Sequence, residues 1–289
     1  MMDRYYRFAG LEFQFSMDPE LMYEKEYNLA PFSVPVVTTP HIFRFRKVDK
    51  LATPEGDCVW KNSGLQVYRG TDARIRYLGI LEKQWSDAYF RVAHCGKKHE
   101  VQLRVDNYPD RVETRSVLES IDLQHLILQN QGFIFHCSYI HWNGKAILFT
   151  APSETGKSTQ ADLWNKYRNA EIINGDRAAV RIVDGTIMAE GIPFSGSSNY
   201  CENRSLPIQA IVYLGQAPVT TIRKLRGYEA FSRIWEGISV NTWDREDMEK
   251  ATDIVMQVAQ TIPIYHMPCT PDEAAVEVLE QELRKLVTV

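Results

Sequence analysis

The sequence predicts an α/β protein in two parts: a β-rich N-terminal region, then an α/β domain with a mixed sheet. Three observations predict it. Residues 1 to about 112 fall into short runs, several of which alternate apolar and charged side chains. From residue 133 onward, strand-like runs alternate with helical ones. One of those strands leads through a short polar loop straight into a helix.

Composition limits the function classes. The chain has 289 residues, 44% hydrophobic and 24% charged, which is the profile of a globular protein and not of a collagen-like, disordered or coiled-coil one. Its 33 basic residues against 37 acidic ones leave a net charge of -4, which argues against a broad nucleic-acid surface. No apolar run approaches the ~20 residues of a membrane span, and MMDRYYRFAGLEF has no signal-peptide hydrophobic region. The expectation is a cytoplasmic protein with no nucleic-acid or membrane partner. Five cysteines (Cys58, Cys95, Cys137, Cys201, Cys269) lie far apart without a CxxC, which disfavours a disulfide framework or zinc ribbon.

The first part, residues 1–115, reads as a β-rich accessory or substrate-docking region. Its strand candidates are 10–15, 41–48, 65–70, 73–81, 88–95 and 99–105. In HIFRFRKV, Ile42-Phe43-Arg44-Phe45-Arg46 alternates with period two, the pattern of a half-buried antiparallel sheet whose arginines face solvent. Turn signals at Pro54–Asp57, Gly70–Asp72 and Gly96–Lys98 separate the runs. His94, Cys95 and His99 are the densest candidate metal ligands; flanking strands mark them as a hairpin turn.

The second part covers 116–289. Val117, Leu118, Ile121 and Leu128 predict one helix over 116–132, stopped by Gly132. Two strands, 133–141 and 145–150, flank Asn143-Gly144, a hairpin signal. A helix from STQADLWNKY follows, then strands at 171–174, 178–183, 186–192 and 209–215. A long helical stretch covers about 228–260, the last strand is 263–268, and Thr270-Pro271-Asp272-Glu273 reads as the start of a closing helix capped by Thr270.

The chemistry concentrates in KAILFTAPSETGKSTQADLW. The apolar strand AILFT runs into Ala151, Pro152, Ser153, Glu154, Thr155, Gly156, Lys157, Ser158 and Thr159, and a helix follows. Successive loop N–H groups and a helix N-terminus surround phosphate oxygens at low reorganisation cost. Gly156 admits close backbone approach, Lys157 supplies a cation and Ser158 a hydroxyl for Mg2+. The pattern's first glycine is Ala151 here, acceptable wherever that position does not need positive φ. On the following strand Asp176, in Asn-Gly-Asp, is either an acidic site residue or part of a plain turn.

The segment from His136 to Ser158 resembles the HPr kinase/phosphorylase family, P-loop kinases related to ATP-dependent phosphoenolpyruvate carboxykinases. His136 lies 21 residues before Lys157, as a histidine does in that family. The family's Asp-Asp pair reads Gly175-Asp176 here, and its Glu-x-Arg-x-Leu-x-Ile signature is Glu202, Arg204, Leu206 and Ile208. The resemblance spans about 133–215 and marks a divergent member. It implies a P-loop kinase-like domain using ATP and Mg2+ to phosphorylate a hydroxyl: a Ser/Thr of a protein or peptide, or a small molecule. By resemblance Asp176 is the general base, His136 holds it, Lys157 and Arg204 neutralise phosphoryl charge, and Ser158 with Glu202 hold Mg2+. Self-association is also implied. The family's late Pro-Gly-Arg segment is not found, so its additional arginine is unplaced, with Arg223, Arg226 and Arg233 following in the chain; phosphorylase activity is not carried over. The loop 193–200 reads either as a cover over the site or as plain mobile chain. The rival class is a nucleotide-binding regulatory module without transfer; a carboxykinase-type decarboxylase ranks below both.

Overall fold

The computed structural model describes residues 1–17, 21, 28–79, 84–104, 114–196 and 200–286. It divides into two units, Met1–Leu123 and Gln124–Val289. The class is α/β with mixed sheets.

The first unit is an eight-stranded sheet. Its strands are β1 (Met2–Phe8), β2 (Leu11–Met17), β3 (His41–Val48), β4 (Asp57–Lys61), β5 (Leu65–Arg69), β6 (Arg74–Leu78), β7 (Phe90–Cys95) and β8 (Lys98–Arg104), ordered β1-β2-β3-β8-β7-β6-β5-β4. The alternation in β3 sorts as its pattern demands: Phe43 and Phe45 are fully buried, Arg44 and Arg46 exposed. Phe15 of β2 meets both rings edge-on, at 5.9 and 5.6 Å. The sheet is not wholly antiparallel, however: β2–β3 and β3–β8 are parallel pairs. Period two sets which side chains face the core; it carries no information on the partner's direction. Strands β1 and β4 escaped the sequence pattern, because β1 is dense in charge and β4 is largely exposed.

His94, Cys95 and His99 lie on the β7–β8 hairpin, with His94 paired to His99 and Gly96 at φ 54°. His99 offers Nδ1 to His94 and Nε2 to His41, each at 3.1 Å. Its two nitrogens point to different partners, so the three rings do not converge on one ion. Among the described residues no group of three or more His, Cys, Asp or Glu is arranged to hold a metal.

The single helix expected over 116–132 is two, α1 (Thr114–Ser120) and α2 (Leu123–Gln129). Asp122 breaks it. Its φ is 56°, and its buried carboxylate takes Arg74 at 2.7 Å and Arg76 at 3.6 Å. A buried charge needs such partners, and meeting them overrides helix propensity.

The second unit contains β9 (Gly132–His136), β10 (Ser138–Trp142), β11 (Lys145–Thr150), α3 (Lys157–Arg168), β12 (Glu171–Asn174), β13 (Arg177–Val183), β14 (Thr186–Gly191) and β15 (Ser205–Gln216). It continues with β16 (Arg223–Leu225), α4 (Gly227–Trp235), β17 (Ile238–Ser239), α5 (Arg245–Thr261), β18 (Ile264–Cys269) and α6 (Glu273–Lys285). The main sheet path runs β12-β10-β11-β15-β14-β13-β9-β17, and β18 joins β15 and β16. Strand β15 ties two arms together: its first residues pair antiparallel with β14, its later ones parallel with β11 and β18. The run expected as one strand over 133–141 divides at Cys137, giving β9 to one arm and β10 to the other. Asn143 (φ 50°) and Gly144 (φ 78°) turn the β10–β11 hairpin, as a type I′ turn requires.

Helices cover both faces. Leu148 and Ile211 join α4 and α5 through Ile234, Ile254 and Val255 in one core; Ile147 and Phe149 join α3 and α6 through Trp164, Val276 and Leu279 in the other. Trp164, fully buried and edge-on to Trp142 at 5.1 Å, pins α3 to the sheet. Its truncation costs about 3–5 kcal/mol. The long helix expected over 228–260 is interrupted by β17. A Cβ on Gly237 would come within 2.7 Å of the Phe135 ring, so chain and sheet touch there too closely for a helical side chain. The second helix restarts where Asp244 caps it, accepting from Glu246 N and Asp247 N. At α6 the cap is Asp272, not Thr270; the Thr270 hydroxyl instead donates to the Asp272 carboxylate.

Candidate functional site

Strand β11 delivers the chain to the loop 151–156, and Gly156 starts α3 at φ 113°, a conformation that suits glycine. Ala151 is buried and is not among the residues at positive φ, so its methyl is tolerated. Glu154 takes a left-handed φ of 63°. Helix α3 has no side-chain cap and no acid in its first turn. Its first N–H groups and the positive end of its dipole therefore stay available to an anion. Ser158 and Thr159 are exposed on that turn.

Lys157 is buried, and its Nζ donates to Ala151 O (3.1 Å) and Pro152 O (3.3 Å). Burial pulls its pKa down, and the charge of Asp176 pulls it back up. Two carbonyl oxygens are weak partners for an ammonium beside phosphoryl oxygens, to which the same group can turn.

Asp176 stands just past β12. His136 Nε2 lies 3.4 Å from Oδ1 and Arg177 Nε 3.2 Å from Oδ2. The His136 hydrogen bond, with help from Arg177, holds the carboxyl below the usual aspartate range against the opposing effect of burial. His136 is itself fixed by backbone: its N donates to Gly237 O (2.8 Å), and its O accepts from the Thr150 hydroxyl (3.0 Å) at the loop's entrance.

Asn174 organises this corner. It is fully buried and makes four hydrogen bonds. Its Oδ1 accepts from Asp176 N and Arg177 N, both at 2.9 Å, closing the turn that presents Asp176. Its Nδ2 donates to Ile192 O (3.1 Å) and Phe194 O (2.6 Å). The segment so held brings Gly196 against Asp176, where an added Cβ would lie 3.2 Å from Asp176 Cβ, and sets the Phe194 ring under Arg177, 4.9 Å from its guanidinium carbon. The cover reading of 193–200 thus has contacts at its near end; residues 197–199 lie outside the described residues.

Arg204 and Glu202 stand elsewhere. Residues 201–204 run beside β12, with Cys201 bridging Asn174 and Glu202 N donating to Ile173 O. Arg204 Nη1 pairs with Glu171 at 3.1 Å and lies 3.9 Å from Glu202. His141 Nδ1 reaches Glu171 at 2.8 Å, while its Nε2 accepts from Gly144 N. Glu171 is at the start of β12, three residues and roughly 10 Å from Asn174. The structure brings Lys157, Asp176 and His136 together and puts Arg204 and Glu202 in a second cluster. His141 belongs to that second cluster as well.

Asn174 and Arg177 were missed as site residues. The signal was present in Asn-Gly-Asp, an Asx-turn sequence, but a turn signal does not say what the turn presents. Arg223 and Arg233 pair with Glu229 and Glu236 respectively, near α4.

Mg2+ suits the chemistry of the loop. It keeps several waters and takes one or two protein ligands beside phosphate oxygens, and the exposed Ser158 hydroxyl, one residue after Lys157, could serve as one.

Fold and site together define an α/β protein with a strand–loop–helix whose helix start lacks a side-chain cap, beside a carboxylate held by His136 and Arg177. No family model matches the chain, and no curated protein matches it in sequence. Among solved structures it is similar to the Hpr(Ser) kinase/phosphatase from Coxiella burnetii, at 11% identity and a TM-score of 0.34, over 54% of this chain and 99% of that one. A likeness of that size assigns no residue a role. No helix among the described residues is long and apolar enough to cross a membrane.

Proposed function

We propose that the chain binds a nucleoside triphosphate on the 151–159 loop and transfers its γ-phosphoryl group to a hydroxyl acceptor, with Asp176 as general base. The observation that carries this reading is that the His136-held Asp176 lies near enough to the buried Lys157 for its charge to raise the lysine's proton affinity. Ser158 would hold a Mg2+ ion, which would supply charge neutralisation to the phosphates. The α3 N–H groups orient the phosphates, and Lys157 turns from the loop carbonyls to a phosphoryl oxygen. Asp176, ionised well below neutral pH, accepts the acceptor hydroxyl's proton while His136 and the Asn174-closed turn keep it in place. A regulatory module that only binds nucleotide has no use for a carboxylate positioned in this way.

The acceptor class by the same reading is a Ser or Thr of a protein or peptide, or a small alcohol. The test is Mg2+-dependent phosphate release from ATP, with water as the default acceptor, in wild type, Lys157→Ala and Asp176→Asn. Turnover reduced about 10²–10⁴-fold in Asp176→Asn supports the base role. Wild-type turnover in that variant removes it.

A further inference from the structure

On the sheet face that carries α4 and α5 lies a cavity of about 710 Å3. Its walls come from β16, the start of α4, the second half of α5 and the two residues that lead into β18. Gly227, at φ 55°, turns the chain from β16 into α4 at this corner. The cavity is remote from the 151–159 loop along the sheet. Leu225 on its wall pairs with Ile264, the first residue of β18. Cys269, which meets Gln160 of α3, is the last residue of that strand, about 17 Å further on. No residue given a part in phosphoryl transfer above lines the cavity.

The inner wall is apolar. Leu225 is buried, and Phe231 and Ile262 pack against the core beneath. The Phe231 ring is held in place by stacking on Trp235 at 5.4 Å. Thr252, polar by type, spends its hydroxyl on Met248 O at 2.8 Å. At the mouth Tyr228 is 84% exposed and Met256 46%. Large apolar side chains left open beside a concavity mark a binding groove.

The charge here has one sign. Lys224 and Arg226 both line the cavity, both are exposed, and neither makes an ion pair among the described residues. The acid in the first turn of α4, Glu229, is taken up by Arg223. No Asp or Glu stands on the wall among the described residues.

We propose that this cavity binds a free long-chain carboxylic acid, with the alkyl chain against Phe231, Met256 and Ile262 and the carboxylate at Lys224 and Arg226. The volume falls in the ~300–1,000 Å3 range of small-molecule sites. Charge complementarity selects an anion, because two cations without a partner meet no carboxylate that opposes one. The apolar wall selects an alkyl chain. Such a chain asks for no hydrogen bonds, whereas a peptide brings backbone N–H and C=O groups that must be paired on burial.

The test is calorimetric titration of the full chain with dodecanoate, octanoate and dodecyltrimethylammonium, each below its micellar concentration. Wild type is expected to bind dodecanoate saturably and about tenfold or more tighter than octanoate, since a buried methylene is worth up to about fourfold. The cationic amphiphile of the same chain length is expected to bind about tenfold or more weaker than dodecanoate. Lys224→Glu combined with Arg226→Glu, at two exposed positions, is expected to reverse that preference. Met256→Glu, on the exposed side of α5, is expected to weaken dodecanoate about tenfold or more. Thermal unfolding checks that both variants fold. The inference is overturned if wild type shows no saturable dodecanoate binding, if it binds the two head groups equally, or if either folded variant keeps full affinity for dodecanoate. Two other occupants overturn it as well. Wild type that leaves dodecanoate unbound but sediments with phosphatidylglycerol vesicles gives the cavity to a membrane surface. Wild type that leaves dodecanoate unbound and forms a dimer lost in Met256→Glu, read by sedimentation velocity, gives it to a second copy of the chain.

Discussion

At one end of β10 and β12, Asp176 is shared between His136 and Arg177, and its charge acts on Lys157. At the other end, Glu171 is shared between His141 and Arg204, with Glu202 nearby. Residue types are nearly the same: a carboxylate, a histidine and an arginine at each end. Their settings differ. Side-chain exposure is 26% for Asp176 but 56% for Glu171 and 54% for Glu202. The backbone of Asp176 is closed into a turn by a buried asparagine, and that of His136 is tied to Gly237 and Thr150. Solvent screens the second cluster, where exposed ion pairs contribute at most ~1 kcal/mol. Geometry and burial, more than the residue list, separate the two clusters.

The largest expected difference between the ends is in turnover. Lys157→Ala is expected to reduce ATP turnover by about 10²–10³-fold, whereas Arg204→Ala leaves most of it and lowers stability by no more than ~1 kcal/mol. A parallel assay of phosphate release and thermal unfolding checks both. If Arg204→Ala proves as damaging as Lys157→Ala, the two clusters act as one site.

Next in size is Asn174→Ala. It strands the donors of Asp176 and Arg177 and the carbonyls of Ile192 and Phe194. A destabilisation of about 1–3 kcal/mol is expected, read in urea, together with a fall in kcat. Asn174→Asp keeps the acceptor that closes the turn but not the donor to 192–194, so it is expected to recover turnover better than stability.

A pH profile sharpens the comparison further. Because the folded Asp176 pKa is lowered, its ionised form persists to lower pH than a free aspartate, and its contribution to stability is lost only as pH falls through that lowered value. His136→Ala removes the largest lowering cause, so the acid limb of turnover is expected to move up in pH. The same limb is expected to stay in place in His141→Ala, since that histidine serves Glu171. At the alkaline end, burial of Lys157 brings the loss of nucleotide affinity below the ordinary lysine range of ~10.4, and Asp176→Asn, which removes the raising charge, brings it lower still.

Much of this was legible beforehand. AILFT followed by GKST indicated β11, the loop and α3, because an apolar run, a glycine and a helix start are local signals. Phe43 and Phe45 against Arg44 and Arg46 indicated which face of β3 is buried. What failed to show was non-local. Parallel pairing of β3 depends on partners far along the chain. The break at Asp122 depends on arginines from β6, and the break at Gly237 on contact with Phe135. Within the site, the spacing of His136 from Lys157 was visible, but the second cluster was not. The Glu202/Arg204 motif says nothing of Glu171, which sits some thirty residues upstream and takes up Arg204.

The central claim is that the 151–159 loop holds a nucleotide through Lys157. Calorimetric titration of Mg2+-ATP into wild type and Lys157→Ala tests it most directly. Saturable binding in wild type that is lost or weakened at least tenfold in the variant is the result the geometry predicts. Equal binding by the two proteins, or none by wild type, contradicts it.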